Sequence, residues 1–277
     1  MEHPASPASR VRPARSASVL AITHRLALAA ALCIFMGQSV STAPQDSLPR
    51  VVSPGGRINS ITIIGRVVAG VNGATGQPLP ESAAQAFETR VLLPDHYLYT
   101  REDASAIRRN GFAGAVPLFS VNYKGGSSGT SYIDPERYVP WQRAAAARLL
   151  LGMFGILDGP LALQAKRTDT GWQVTGPEGF SCEVDVDPSS GVPKTVRYRD
   201  TATFYGPPNP RGASRRREEA EISLTFSDRT EVDGVLVPHS VVTTAKSLVT
   251  GEVLRTEDVR VSSVRINPPL AAADFEE

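Results

Sequence analysis

Residues 219–266 read EAEISLTFSDRTEVDGVLVPHSVVTTAKSLVTGEVLRTEDVRVSSVRI. The stretch contains three alternating apolar and polar runs, Glu219–Arg229, Val235–Ser247 and Glu252–Ile266. Val232-Asp233-Gly234 and Thr250-Gly251 separate them, and Asn267-Pro268-Pro269 ends the last. Alternating runs joined by Asp-Gly and Thr-Gly turns predict hairpins, and three in a row predict an antiparallel meander. At ~3.3 Å per residue such runs span well over 30 Å. Strands that long suit one curved sheet or an unclosed barrel better than a sandwich.

Moving toward the N-terminus, the same period continues. Leu161–Thr168, Trp172–Thr175, Phe180–Asp187 and the KTVRYRD run 194–200 read as strands, with the turn PSSGVP at 188–193. Tyr205–Arg217, rich in Pro, Gly and Arg, reads as a loop. Ile58–Val71 places Ile61, Ile63, Gly65, Val67, Ala69 and Val71 on one parity, the mark of a half-buried strand. Asn72-Gly73 opens a loop to Pro80, and Ser82–Leu93, His96–Arg101, Ala104–Asn110 and Val116–Tyr123 are further strand candidates.

One segment breaks the pattern. Asp134-Pro135-Glu136 is a helix start, with Asp as N-cap and Pro in the first turn. Trp141–Ile156, containing AAAARLLLGMFGI, favours helix, and Asp158-Gly159-Pro160 is the expected stop. Tyr138, Trp141, Ala145, Leu149, Gly152, Met153 and Ile156 fall near one face. Leu150, Leu151, Phe154 and Leu157 widen it until the second half is apolar nearly all round. Such a helix is buried or covers something apolar. The expected fold is mainly β (α+β), one curved antiparallel sheet with a helix over its concave face.

The N-terminus has the zones of an export signal. Arg10, Arg12, Arg15 and Arg25 precede the uncharged run LALAAALCIFM at 26–36, which is about half of a bilayer span. Small residues at 39–43 are the expected cleavage region. Cys33 has Leu32 before it, not the small residue that a lipid-anchored signal wants. The expected organisation is a signal peptide over 1–43, a linker over 44–57 and one domain over 58–277. That organisation implies a periplasmic or secreted protein. Cys182 is then the one cysteine left, which leaves no internal disulfide. A charge balance of 29 Lys and Arg against 28 Asp and Glu offers no field for nucleic acid.

Residues that could carry chemistry are few. His96 and His239 have no acid or cysteine neighbours at ligand spacing, so no metal site is expected. Gly125-Gly126-Ser127-Ser128-Gly129 matches G-x-S-x-G in form. A nucleophile elbow needs a strand before the serine and a helix at once after it, and Thr130–Pro135 intervenes. A serine hydrolase using Ser127 with His239 therefore ranks below a flexible Gly/Ser loop. Arg215-Arg216-Arg217 runs directly into Glu218 and Glu219, the pattern of a solvated strand entry. No cofactor motif is present in the sequence.

Several stretches together resemble the LolA-like superfamily of periplasmic lipoprotein carriers: the opening SITIIGRV, the later RVLLPDHYLYT, the hairpin VDVDPSSGVPKTVRY, and the end VDGVLVPHS…VRINPPLAAADF. The resemblance spans Ile58–Phe275 and lies in strand order and turn residues. It implies an unclosed antiparallel barrel whose concave face, covered by helix, holds acyl chains. It also implies a carrier or chaperone for a lipid or lipidated protein, working with inner- or outer-membrane envelope proteins. The Tyr205–Arg217 loop and the Gly-rich stretch Gly111–Gly129 depart from that pattern.

Parity and helix face together nominate a ligand-binding lining. Ile61, Ile63, Val67, Phe87, Val91, Tyr198 and Phe226 are expected from the sheet, and Trp141, Leu149, Met153 and Phe154 from the helix. Catalytic residues are not nominated. The alternative is an envelope protein with no ligand, a structural or sensor module in which the same residues form a plain core.

Overall fold

In the computed structural model, residues 57–70, 78, 84–126, 128–129, 133–169, 171–205 and 214–276 are described. The expected signal peptide, nearly all of the linker, most of the 72–80 loop and Ser127 lie outside them.

Chain order explains the architecture. Strands β1 (Ser60–Gly70), β2 (Gln85–Leu92), β3 (His96–Glu102), β4 (Ala106–Ala113), β5 (Val116–Tyr123) and β6 (Ser128–Gly129) step outward to one sheet edge. Helix α1 (Pro135–Phe154) then crosses to the opposite edge. From there β7 (Gln164–Arg167), β8 (Trp172–Thr175), β9 (Ser181–Val186), β10 (Pro193–Tyr205), β11 (Arg215–Val232), β12 (Val235–Ser247) and β13 (Val253–Ile266) step back inward. The two series meet where β13 pairs antiparallel with β1, making one sheet of 13 strands among the described residues. Edge strands β6 and β7 do not pair with each other, so the barrel is unclosed, as the strand pattern predicted.

The sheet curls around α1. The helix touches β4 and β5 on one side and β10, β11 and β12 on the other. On a flat sheet β5 and β10 would lie about 38 Å apart at ~4.8 Å per strand. A 20-residue helix is about 30 Å long. Curvature enters at the central strands, where the β1–β13 register shifts at Ile64/Gly65 and Val67/Ala69 and the β12–β13 register shifts at Thr243/Thr244. Bulges of this kind raise the local twist. Gly65 is required at its bulge: a Cβ there would stand 2.3 Å from the Arg260 carbonyl oxygen and 2.7 Å from the Phe87 ring.

Helix α1 begins as the sequence predicts. The Asp134 side chain accepts a hydrogen bond from Glu136 N (3.1 Å), with Pro135 in the first turn. Its end is earlier than expected. Gly155 takes the left-handed conformation (φ 65°), and its N–H turns back on the carbonyls of Leu150 and Leu151. The apolar run through Leu157 hid this stop, because Ile156 and Leu157 remain packed against the core after the helix has ended. The buried face is also displaced from the predicted one. Val139, Gln142, Ala146, Leu150 and Met153 point inward together with Ala147, Leu151 and Phe154, whereas Trp141 is 56% exposed.

Three contacts fix the helix. The Arg143 guanidinium donates to the Gly114 carbonyl (3.0 Å) and lies over Phe112. The Tyr138 hydroxyl donates to the Leu118 carbonyl (3.2 Å). Near the C-terminal end, Arg229 on β11 donates to the Gly152 carbonyl (3.3 Å) and to those of Pro193 and Leu236. The last turn has no basic residue of its own, so Arg229 supplies the cation that a helix C-terminus favours.

Of the stretch expected as a Tyr205–Arg217 loop, Tyr205 belongs to β10, Arg215 to Arg217 already belong to β11, and residues 206–213 lie outside those described. Arg216 there pairs with Glu218 and Glu252. At the C-terminus Phe275, 1% exposed, packs beside His96 on the outer face of the sheet.

Candidate functional site

The helix does not fill the concave face. Between α1 and the strands remains a cleft of about 390 Å³, inside the ~300–1,000 Å³ range of small-molecule sites. Its floor is the inward parity of the central strands: Ile63 of β1, Phe87 and Thr89 of β2, Tyr97 and Tyr99 of β3, Val259 and Val261 of β13, Val241 and Thr243 of β12, and Leu224 of β11. Its roof is one row of the helix, Trp141, Ala145, Leu149 and Met153, with Gln142 beside it. These roof residues recur at steps of four, so they form a single stripe along α1.

Register explains the aromatic part of the floor. Val91 lies opposite Tyr97 and Thr89 opposite Tyr99 in the β2–β3 pair. Residues directly opposite share a face, so the tyrosines follow Val91 inward. Phe87 and Tyr99 sit with ring centroids 5.8 Å apart. Burial pushes both the Tyr97 and Tyr99 phenols up, keeping them neutral. The remaining polar groups are sparse. Asn110 and Glu257 stand at the margin, and Glu257 accepts from Arg101 (2.6 Å), which places a neutralised ion pair there instead of a lone charge.

Of the eleven residues nominated from sequence, Ile63, Phe87, Trp141, Leu149 and Met153 line this cleft. Ile61, Val67, Val91 and Phe154 lie in the packed core, each at 1% exposure or less. Phe226 sits directly beneath the helix: a Cβ on Gly152 would stand 2.1 Å from two of its ring carbons. Tyr198 lies on the other flank of α1, under Arg148. Of the floor residues, sequence reasoning missed Thr89, Tyr97, Tyr99, Leu224, Val241, Thr243, Val259 and Val261.

His239, the candidate base of the sequence reading, is held by the fold. Both His239 ring nitrogens are engaged structurally, Nδ1 with the Val261 carbonyl (2.8 Å) and Nε2 with the Thr230 hydroxyl (2.7 Å). Ser127 lies outside the described residues. Desolvation pushes the Cys182 thiol up to about 12, although the Arg148 cation opposes it, which disfavours the nucleophilic thiolate. Among the described residues, His, Cys, Asp and Glu form no group of three that could hold a metal ion. Nor is any helix among them long and apolar enough to cross a membrane.

Neither a family profile nor a curated protein matches the chain. Among solved structures, the chain is similar to a LolA superfamily protein from Nitrosomonas europaea, at 10% identity and a TM-score of 0.44, over 82% of this chain and 93% of that one.

Proposed function

We propose that the protein is an exported carrier or chaperone that holds a lipid, or the acyl chain of a lipidated protein, in the cleft between α1 and the sheet. The observation that carries this reading is the space itself. An apolar helix that served only to seal a core would pack flush, yet here about 390 Å³ stays open beside a floor of aliphatic and aromatic side chains. Burying a hydrocarbon chain there costs no hydrogen bonds and contributes ~0.8 kcal/mol per methylene. The basic and apolar zones of residues 1–43 support export. The sequence resemblance to the LolA-like superfamily supports a role in the periplasm, with membrane-envelope proteins as docking partners.

The test is an organic extract of the purified protein analysed by mass spectrometry. The reading predicts lipid at a defined stoichiometry, lost from a variant in which Ala145→Trp fills the roof. An extract free of lipid, together with no uptake of added fatty acid, would leave a ligand-free envelope module instead.

A further inference from the structure

A second hollow flanks α1 on the side away from the apolar cleft. Pairing of β9 with β10 stops at Arg197 opposite Glu183. Yet β9 reaches back to Ser181 and β10 runs on to Tyr205. The two strands therefore part, and in the fork lies a hollow of about 400 Å³, lined by Arg148, Gln173, Ser181, Cys182, Tyr198 and Arg199 among others. Its character is opposite to that of the first cleft, being polar and bordered by Arg148, Arg197 and Arg199 and by Glu183 and Glu221.

Alternation sorts the charges. Arg197 and Arg199 share one face of β10 with the outward row of β9, and Arg197 is held there by Asp185 (2.7 Å) with Glu183 beside it (3.6 Å). Glu221 faces Arg199 across the β10–β11 pair and lines the hollow too. Tyr198 and Cys182 point the other way, toward the helix, and meet Arg148. The Arg148 guanidinium stacks 3.8 Å above the centre of the Tyr198 ring and 5.1 Å from that of Phe180. Its Nε is buried and has no hydrogen-bond partner. Among the described residues no carboxylate pairs with it. A guanidinium that is stacked on an aromatic ring and left without an anion is preorganised to donate to one. Ser181 belongs to the outward row of β9 with Glu183 and Asp185, and its hydroxyl oxygen accepts from Gln173 Nε2 (2.9 Å).

We propose that this fork is an oxyanion-binding site, in which Arg148, oriented by Tyr198, takes a phosphate group, either free or as the headgroup of a lipid. The site rests on Arg148 and the parted strands, and does not depend on what occupies the apolar cleft.

The experiment titrates the purified protein with inorganic phosphate, with dihexanoyl phosphatidate and with uncharged dihexanoylglycerol, following the Arg148 Nε–H and the Ser181, Cys182 and Tyr198 amides by NMR. Both phosphates shift these signals and dihexanoylglycerol does not. Equal affinity for the two phosphates assigns the site to free phosphate. Phosphatidate tighter by tenfold or more assigns it to a headgroup. Arg148→Met, which keeps the stem but not the charge, weakens binding at least tenfold. Arg148→Lys, which keeps the charge but loses the planar stack on Tyr198, weakens it severalfold and covers the case in which Arg148→Met folds poorly. Absence of shifts with either phosphate, or undiminished binding by a folded Arg148→Met, overturns the proposal. Shifts produced equally by dihexanoylglycerol would do the same.

Discussion

Replacing Gly152 by alanine sets two opposing effects against each other. Alanine is the better helix former by ~0.8–1.0 kcal/mol in a helix interior. Gly152, however, stands two residues before the end of α1, where that gain is only partly realised. Against it stands the seat of the helix. The new Cβ would lie 2.1 Å from Phe226 Cε2 and Cζ and 2.9 Å from Cδ2, so ring or helix must retreat by more than an ångström. Phe226 is 3% exposed and belongs to the packed core. Overpacking of this kind costs about 1–3 kcal/mol. A clash with a buried ring belongs in the upper part of that range, so the net prediction is a loss of about 1–2 kcal/mol. Urea unfolding followed by circular dichroism should show a lower midpoint with an unchanged slope. Adding Phe226→Leu should recover part of the loss, since the two sites are in contact and their effects are not additive. A Gly152→Ala protein as stable as the parent, or more so, would mean that α1 does not rest on Phe226, and the seating described above would be wrong.

Three further outcomes follow from the packing and electrostatics. Arg229→Met removes the donors to the Gly152, Pro193 and Leu236 carbonyls and should cost about 1–3 kcal/mol in the same assay. Desolvation pushes the Asp103 carboxyl up. Hydrogen bonds from the Ser105 hydroxyl, Arg108 and the Ser105 and Ala106 amides outweigh it and hold the group well below the usual carboxylate range. Its contribution is thus complete above the unfolded value near ~4 and is lost as pH falls toward the folded one. Between pH 5 and 2, Asp103→Asn should therefore lose less stability than the parent. Cys182, with its thiol raised to about 12 by burial, should resist iodoacetamide at pH 8 in the native state and react at once in urea; rapid native labelling would contradict its burial.

The fold was legible because period-2 alternation and turn residues recur along most of the chain. Val235–Ser247 coincides with β12 to the residue. Asp134-Pro135 marked the start of α1 for a local reason, a side chain that caps and a ring that needs no N–H. The end of α1 was harder to read. Gly152 and Gly155 stand three apart in one apolar run, and only packing tells that the first seats on Phe226 and the second turns the chain. The cleft was legible in part for a similar reason. Parity says which residues face inward, but not which inward residues touch the helix and which are left clear of it. Val67 and Val91 share a parity with Ile63, yet they are packed in the core while Ile63 lines open space. Tyr97 could have been found from Val91 once the Pro94-Asp95 turn fixed the β2–β3 register. Arg148 could not: its significance depends on a fork between strands that no spacing announces.

The central claim is that the space under α1 takes an apolar chain, and titration with a fluorescent fatty acid tests it most directly. Ala145 lies in the roof row between Trp141 and Leu149. An indole there would occupy the room of at least four methylenes, worth about 3 kcal/mol at ~0.8 each, or on the order of a hundredfold in affinity. The account predicts saturable binding by the parent, and binding by Ala145→Trp weaker by about that factor with thermal stability kept. A parent that takes up no probe, or a folded Ala145→Trp that binds as tightly as the parent, would contradict it.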